Sequence, residues 1–306
     1  MSDRGSVMGS APQAAELTVK TPRPDTPKPV LGTGQIYTDV LGVFVQRFPK
    51  ILLLSMPAAV AMGLIFYAGI ELLDGPLSRL WRYSAWLAVL APMAMFALAL
   101  GTGLGLASGP LSAALHEFKL HRKVPIGRCI ARFAVRPVAA VICSVMAVGA
   151  TLMPLWLLAA ADSVRVGLIL GGCALAIGMY GLGFWGLAAP SVAIERLGLS
   201  ALGRSRRLGE GYRWRIAGTC FLLFVTAVLV GGAVTVGLGF LFAFVFDEVL
   251  GMRFGHRTDD ALLFLDFCLG QTLVVAVMGL GLAAIRARMV EIKEPPDIAD
   301  MIEVFD

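Results

Sequence analysis

The sequence predicts an all-α polytopic membrane protein, with six transmembrane helices joined on the cytoplasmic side by amphipathic helices. Three observations predict it. Apolar residues make up 58% of the chain and charged ones 15%, whereas soluble domains run at about 45–50% and about 25%. The stretches Ile51–Ile70, Gly167–Ile194 and Ile216–Phe246 carry no charge, and a helix needs roughly 20 apolar residues to cross a bilayer core. Between such runs the basic residues cluster. The densest cluster lies in Pro190–Leu223, where six arginines face only Glu195 and Glu210. A basic patch at the mouth of two apolar segments marks a cytoplasmic connection.

Residues 1–33 read as an N-terminal tail: Met1–Pro29 is polar, rich in Pro, Thr and Ala, and has no continuous apolar core of the kind a signal peptide needs. That composition predicts disorder. The membrane domain is assigned to residues 34–290 and a cytoplasmic C-terminal tail to residues 291–306. In Gly34–Lys50 the apolar residues Tyr37, Val40, Leu41, Phe44 and Val45 form a helical stripe opposite Thr38, Asp39 and Gln46. We read this as an amphipathic helix on the cytoplasmic surface. The first crossing spans about Ile51–Glu71, bent at Pro57, and the turn chemistry of Asp74-Gly75-Pro76 leads into a second at about Tyr83–Ala107.

The next connection repeats the design. Leu111, Leu115 and Phe118 form an apolar stripe ahead of Lys119, Arg122 and Lys123, and beyond Pro125 the cations Arg128, Arg132 and Arg136 recur every four residues. A third crossing follows at about Pro137–Ala161, with a kink expected at Pro154, and a fourth at about Val166–Ala189. Within Pro190–Arg215 a short helix is expected. Ser200 can cap it, Ala201, Leu202 and Leu208 give it an apolar side, and Gly209 and Gly211 stop it. Arg204 and Arg207 then share one face, and Tyr212 and Trp214 fall where an interfacial aromatic belt belongs. The fifth run, Ile216–Phe246, is about 46 Å long as a helix; we read it as one bent helix despite Gly231-Gly232. The sixth crossing, about Leu262–Ile285, ends at Arg286 and Arg288.

Of the 26 Lys and Arg residues, 21 fall in the segments read as cytoplasmic and five (Arg79, Arg82, Arg165, Arg253, Arg257) in the outer loops. The positive-inside bias therefore puts both termini in the cytoplasm. An amphipathic basic segment, a crossing, a short turn and a second crossing recur from near Gly34, Ser108 and Glu195, a weak internal repeat of the kind transport folds carry.

Chemistry is sparse. His116 and His121 are five apart, not the four that stacks two ligands on a helical face, and His256 is remote. No metal or other cofactor is implied. The five cysteines are scattered singly, as small buried apolar residues are. Gly181-Leu182-Gly183-Phe184-Trp185-Gly186 matches a dinucleotide fingerprint in letters only; it lies inside an apolar run, where glycines let helices approach closely. Gly101-Thr102-Gly103-Leu104-Gly105 reads the same way. Asp266 is the one ionisable residue inside a crossing, with a substrate or proton role weighed against simple snorkelling at the interface. The basic face is the strongest candidate: Lys119, Arg122, Lys123, Arg204, Arg206, Arg207, Arg213 and Arg215 can hold anionic lipid head groups or an acidic partner protein, or can merely fix topology. The modest net charge of +5 gives no sign of a nucleic-acid partner.

The block Pro190, Glu195-Arg196, Ala201-Leu202, Arg204-Ser205, Leu208, Gly211, Trp214-Arg215-Ile216, with the ending Lys293-Glu294, Ile298-Ala299 and Val304-Phe305-Asp306, resembles a family of uncharacterised bacterial six-helix membrane proteins. It is similar to the membrane domain attached to some glycerophosphoryl diester phosphodiesterases. The resemblance spans about Gly34–Asp306. It departs where the family has tyrosine followed by Leu-Arg and this chain has Ala283-Ala284-Ile285-Arg286, and where Pro295 follows Lys-Glu. The hydrolase domain has no counterpart, so the resemblance implies a membrane module, not phosphodiesterase activity. Glu195 matches the family's carboxylate and is expected to pair with Arg204 or Arg207 as a structural clamp. The expected function is a non-catalytic inner-membrane protein whose basic cytoplasmic face binds anionic lipid or a partner. The alternative is a permease or lipid-handling transporter.

Overall fold

A computed structural model describes residues 31–75, 85–120, 126–133, 137–152, 164–195, 197–245 and 256–294. Both tails assigned above therefore lie almost wholly outside the described residues, as do Arg122, Lys123, the Pro154 kink and most of the outer loops. Every regular element among the described residues is helical: α1 (Thr33–Gln46), α2 (Phe48–Asp74), α3 (Ala85–Lys119), α4 (Ile126–Phe133), α5 (Pro137–Leu152), α6 (Val164–Trp185), α7 (Ala188–Glu195), α8 (Ala201–Gly209), α9 (Arg213–Ala243) and α10 (His256–Lys293). Five runs are long and apolar enough to cross a membrane, namely α2, α3, α6 continued by α7, α9 and α10. The expected third crossing is described only as the 16 apolar residues of α5.

α10 is the hub. Of its most apolar stretch 89% is buried, against 17% for α9. Around it α2 packs on α3, α3 on α5, α5 on α6 and α6 on α9. α2, α3 and α9 also pack directly on α10, whereas α2 and α9 pack little on one another. Among the described residues the ring of helices is thus open on one side. Small residues set the spacing. A Cβ on Gly101 or Gly105 of α3 would lie 2.5 Å from the Cα of Val145 and 2.6 Å from that of Val141, both on α5. On the hub, a Cβ at Gly270 would strike the hydroxyl of Thr235, and one at Gly231 would come within 2.9 Å of the Gly270 carbonyl. The seats of Gly101 and Gly105 are backbone against backbone, and those of Gly231 and Gly270 combine backbone with the Val274 and Thr235 side chains; a missing side chain permits each approach. The G-x-G-x-x-G letters are used in the same way: Gly183 lies against the backbone of Arg213, 2.7 Å from where its Cβ would be.

Several boundaries differ from expectation. The second crossing and the amphipathic stretch after it are one helix, α3, running through Pro92 and Pro110; membrane helices tolerate proline where neighbours satisfy the freed backbone groups. The fourth run is interrupted at Gly186-Leu187, and Pro190 falls in the first turn of α7, where a missing N–H has no intrahelical partner to lose. α9 runs unbroken through Gly231-Gly232. α1 is rotated from its expected pose. Ile36, Val40 and Val43 are its buried face, while Leu41 and Val45 from the predicted stripe point outward, Val45 at 72% exposure. The reason is that α1 packs against α10, so protein rather than lipid absorbs one apolar side.

Candidate functional site

The chain between α6 and α9 is shaped by short-range chemistry. α8 begins after Ser200, whose side chain makes no capping bond, contrary to expectation. The entry is stabilised instead by backbone turns, with Ala201 N–H donating to Gly198 O and Leu202 N–H to Leu199 O, each at 3.1 Å. Ala201 and Leu208 are buried as predicted, and α8 ends at Gly209. Gly211 then adopts a φ of +83°, the left-handed conformation that favours glycine, and turns the chain into α9.

This turn places Arg204 beside Glu195. Arg204 Nε donates to Glu195 Oε2 at 2.9 Å, and its two terminal nitrogens donate to Glu294 Oε1 at 2.5 Å and Oε2 at 2.6 Å. Arg286 from the hub donates to Glu195 Oε1 at 2.6 Å. Two carboxylates and two guanidiniums therefore join the end of α7, the helix α8 and the end of α10. The bidentate bond to Glu294, followed by Glu195, raises the Arg204 pKa above its ordinary value against the opposing effect of burial. The same bond from Arg204 holds the Glu294 carboxyl below the usual carboxylate range. Arg207, the other expected partner of Glu195, points outward; despite the three-residue spacing the two arginines do different things.

A second network secures α1. Lys119 at the end of α3 reaches Asp39 Oδ2 at 3.5 Å and Glu291 Oε1 at 3.3 Å. Arg288 donates to Glu291 Oε2 at 2.8 Å and to Gln35 Oε1 at 3.2 Å. These groups line a polar recess of about 260 Å³.

A third group is aromatic. The Arg213 guanidinium lies 3.8 Å from the Phe184 ring centre and donates to the Tyr180 hydroxyl at 2.9 Å. Tyr180 also meets the Trp214 ring at 5.5 Å, and Trp214 itself is 61% exposed. An arginine over an aromatic face is held by the ring quadrupole.

Of the eight cations picked from the sequence, Lys119, Arg204 and Arg213 are thus engaged within the protein. Arg206, Arg207 and Arg215 are exposed and form no ion pair among the described residues. They cluster on α8 and the first turn of α9, with Arg206 also 5.8 Å from the Phe184 ring centre. Sequence reasoning gave Asp39, Arg286, Glu291 and Glu294 no partner. Asp39 was legible as part of the polar face of α1, and the others as charges at or after the end of the last crossing, positions that name no partner. Among the described residues no three His, Cys, Asp or Glu side chains converge to hold a metal ion. No family model, curated protein or solved structure matches the chain.

Proposed function

We propose that the protein is a non-catalytic, six-span integral membrane protein of the bacterial inner membrane, with both termini in the cytoplasm, whose basic face binds anionic lipid head groups. The observation that carries this reading is the trio Arg206, Arg207 and Arg215, exposed beside the exposed Trp214 and without carboxylate partners among the described residues. Each cation near an anionic surface contributes about 1 kcal/mol, roughly fivefold in local partitioning. The α5 region supplies the sixth crossing in this reading, and the resemblance to the phosphodiesterase-associated membrane domain is its family counterpart. A transport pathway through the middle is less well supported, because the central position is filled by a buried helix seated on glycine contacts.

The test is reconstitution of the purified chain in nanodiscs of mixed phosphatidylcholine and phosphatidylglycerol. Phosphatidylglycerol should be enriched around the protein, less so at high salt, and much less in the triple variant Arg206→Gln, Arg207→Gln, Arg215→Gln. Equal enrichment in the parent and the triple variant would overturn the assignment. Capture of a soluble acidic protein with no lipid preference would replace it by the partner reading.

A further inference from the structure

The open side of the helix ring holds a groove of about 480 Å³, within the range of about 300–1,000 Å³ typical of ligand sites. Phe48, Leu52 and Met56 of α2 form one wall, Leu238 of α9 the other, and Leu269 and Leu273 of α10 the floor. Among the lining residues only Thr272 has a polar side chain, and its hydroxyl donates to the Cys268 carbonyl of its own helix at 2.7 Å. The side chains of the groove therefore offer an occupant no hydrogen-bond donor, and one hydroxyl oxygen as the sole acceptor. So apolar a lining disfavours a polar solute as its ligand and favours a hydrocarbon chain, whose burial needs area alone.

The position of the groove says which kind of hydrocarbon. From Phe48 to Met56 it follows α2 for about 12 Å along the helix axis. It lies between two helices with membrane-crossing length and hydropathy, so it opens sideways toward lipid. Cations bracket its Phe48-Pro49 end: Arg47 immediately before, Lys50 immediately after. Arg47 forms no ion pair among the described residues, and its Nε is buried without a hydrogen-bond partner. A cation next to Phe48 in the chain, with no ion pair among the described residues, puts positive charge near that end of the furrow and complements a lipid with one negative head group.

We propose that the gap between α2 and α9 is a lateral lipid site that holds an acyl chain of an anionic phospholipid against α10, with the head group seated by Arg47. The site rests on the membrane-spanning reading of α2 and α9, but not on Arg206, Arg207 and Arg215.

The full chain, purified in mild detergent, stripped of lipid and then incubated with phosphatidylglycerol or phosphatidylcholine vesicles, is examined by native mass spectrometry. The parent should retain one phospholipid, with phosphatidylglycerol preferred. Leu53→Trp and Met56→Trp enlarge groove-lining side chains that are 55% and 44% exposed, so they fill the space without entering the core. Both should cut retention at least about fivefold. Arg47→Gln should leave chain binding and reduce the head-group preference about fivefold, the share of one cation at an anionic surface. The Arg206, Arg207, Arg215 triple variant should retain the lipid; loss there, with retention in both tryptophan variants, would move the site to the basic face and sink the groove. Retention of detergent only, or of equal phospholipid in the parent and both tryptophan variants, would overturn it as well.

Discussion

Arg286 is 6% exposed, and its partner Glu195 lies 91 positions earlier in the chain. A guanidinium so placed depends on that carboxylate. Breaking a buried pair by deleting one member costs about 3–5 kcal/mol, whereas replacing both members with apolar residues is often neutral. Glu195→Ala should therefore lower the melting temperature in detergent sharply, and the double variant Glu195→Leu, Arg286→Leu should recover much of the loss. If the double variant melts no higher than the single one, the pair is not the source of the effect. The Arg204–Glu294 bond is different, because the Glu294 side chain is 46% exposed and solvent limits such a pair to about 0.2–1 kcal/mol. Its pH dependence has a definite sign. With its pKa held below the ordinary 4.5, Glu294 contributes stability that is present in full above that value and is lost as pH falls through the folded-state pKa. The difference in melting temperature between the parent and Glu294→Gln should stay constant from neutral pH to about pH 5 and shrink on further acidification. A difference that grows with acid would contradict the assignment.

At the scale of elements, the helices are held by where side chains are missing. Gly101 and Gly105 are one turn apart on α3 and both press on the backbone of α5. A neighbour that is backbone cannot step aside as a flexible side chain can, so Gly101→Ala or Gly105→Ala should destabilise by about 1–3 kcal/mol through overpacking. Gly218 and Gly232 of α9 face open space, and alanine there should be neutral or slightly stabilising, since alanine is the better helix former by about 1 kcal/mol. Chemical or thermal unfolding of the four variants checks the contrast; neutral or stabilising effects at all four positions would mean that helix propensity, not close approach, governs the glycines. The G-x-x-x-G spacing on α3 was legible before the structure. Its partner was not, because one apolar helix offers much the same surface as another until the fold pairs them. The same limit applied to α1. Its amphipathic period was readable, but the choice of buried face depended on α10 being there to receive Ile36, Val40 and Val43.

At the scale of the whole molecule, the ion-pair networks lie at one end of the bundle. Lys119 ends α3, Arg286, Arg288, Glu291 and Glu294 end α10, and Glu195 and Arg204 flank the α7–α8 turn. In the proposed topology that end is cytoplasmic. Single cysteines introduced at Gln35, Arg207 and Lys293, all exposed, should react with an impermeant maleimide from the same, inner side of oriented vesicles. Labelling of any one from the opposite side would reverse or break the topology.

Local composition by itself determined that the chain is helical and apolar enough for a membrane, where most of the apolar runs fall, and which loops are rich in cations. Those properties are written in contiguous residues, because a crossing needs unbroken hydrocarbon surface and a topology signal needs only a local count of charges. Only the tertiary structure decided that the last helix is the hub, that Arg204 and Lys119 are spent on internal carboxylates while Arg206, Arg207 and Arg215 are not, and that a gap remains between α2 and α9. Apart from the Arg204–Glu195 pair, nine residues apart and expected from the resemblance, each of these depends on residues far apart in the chain arriving at one place, and the local sequence around one partner does not name the other.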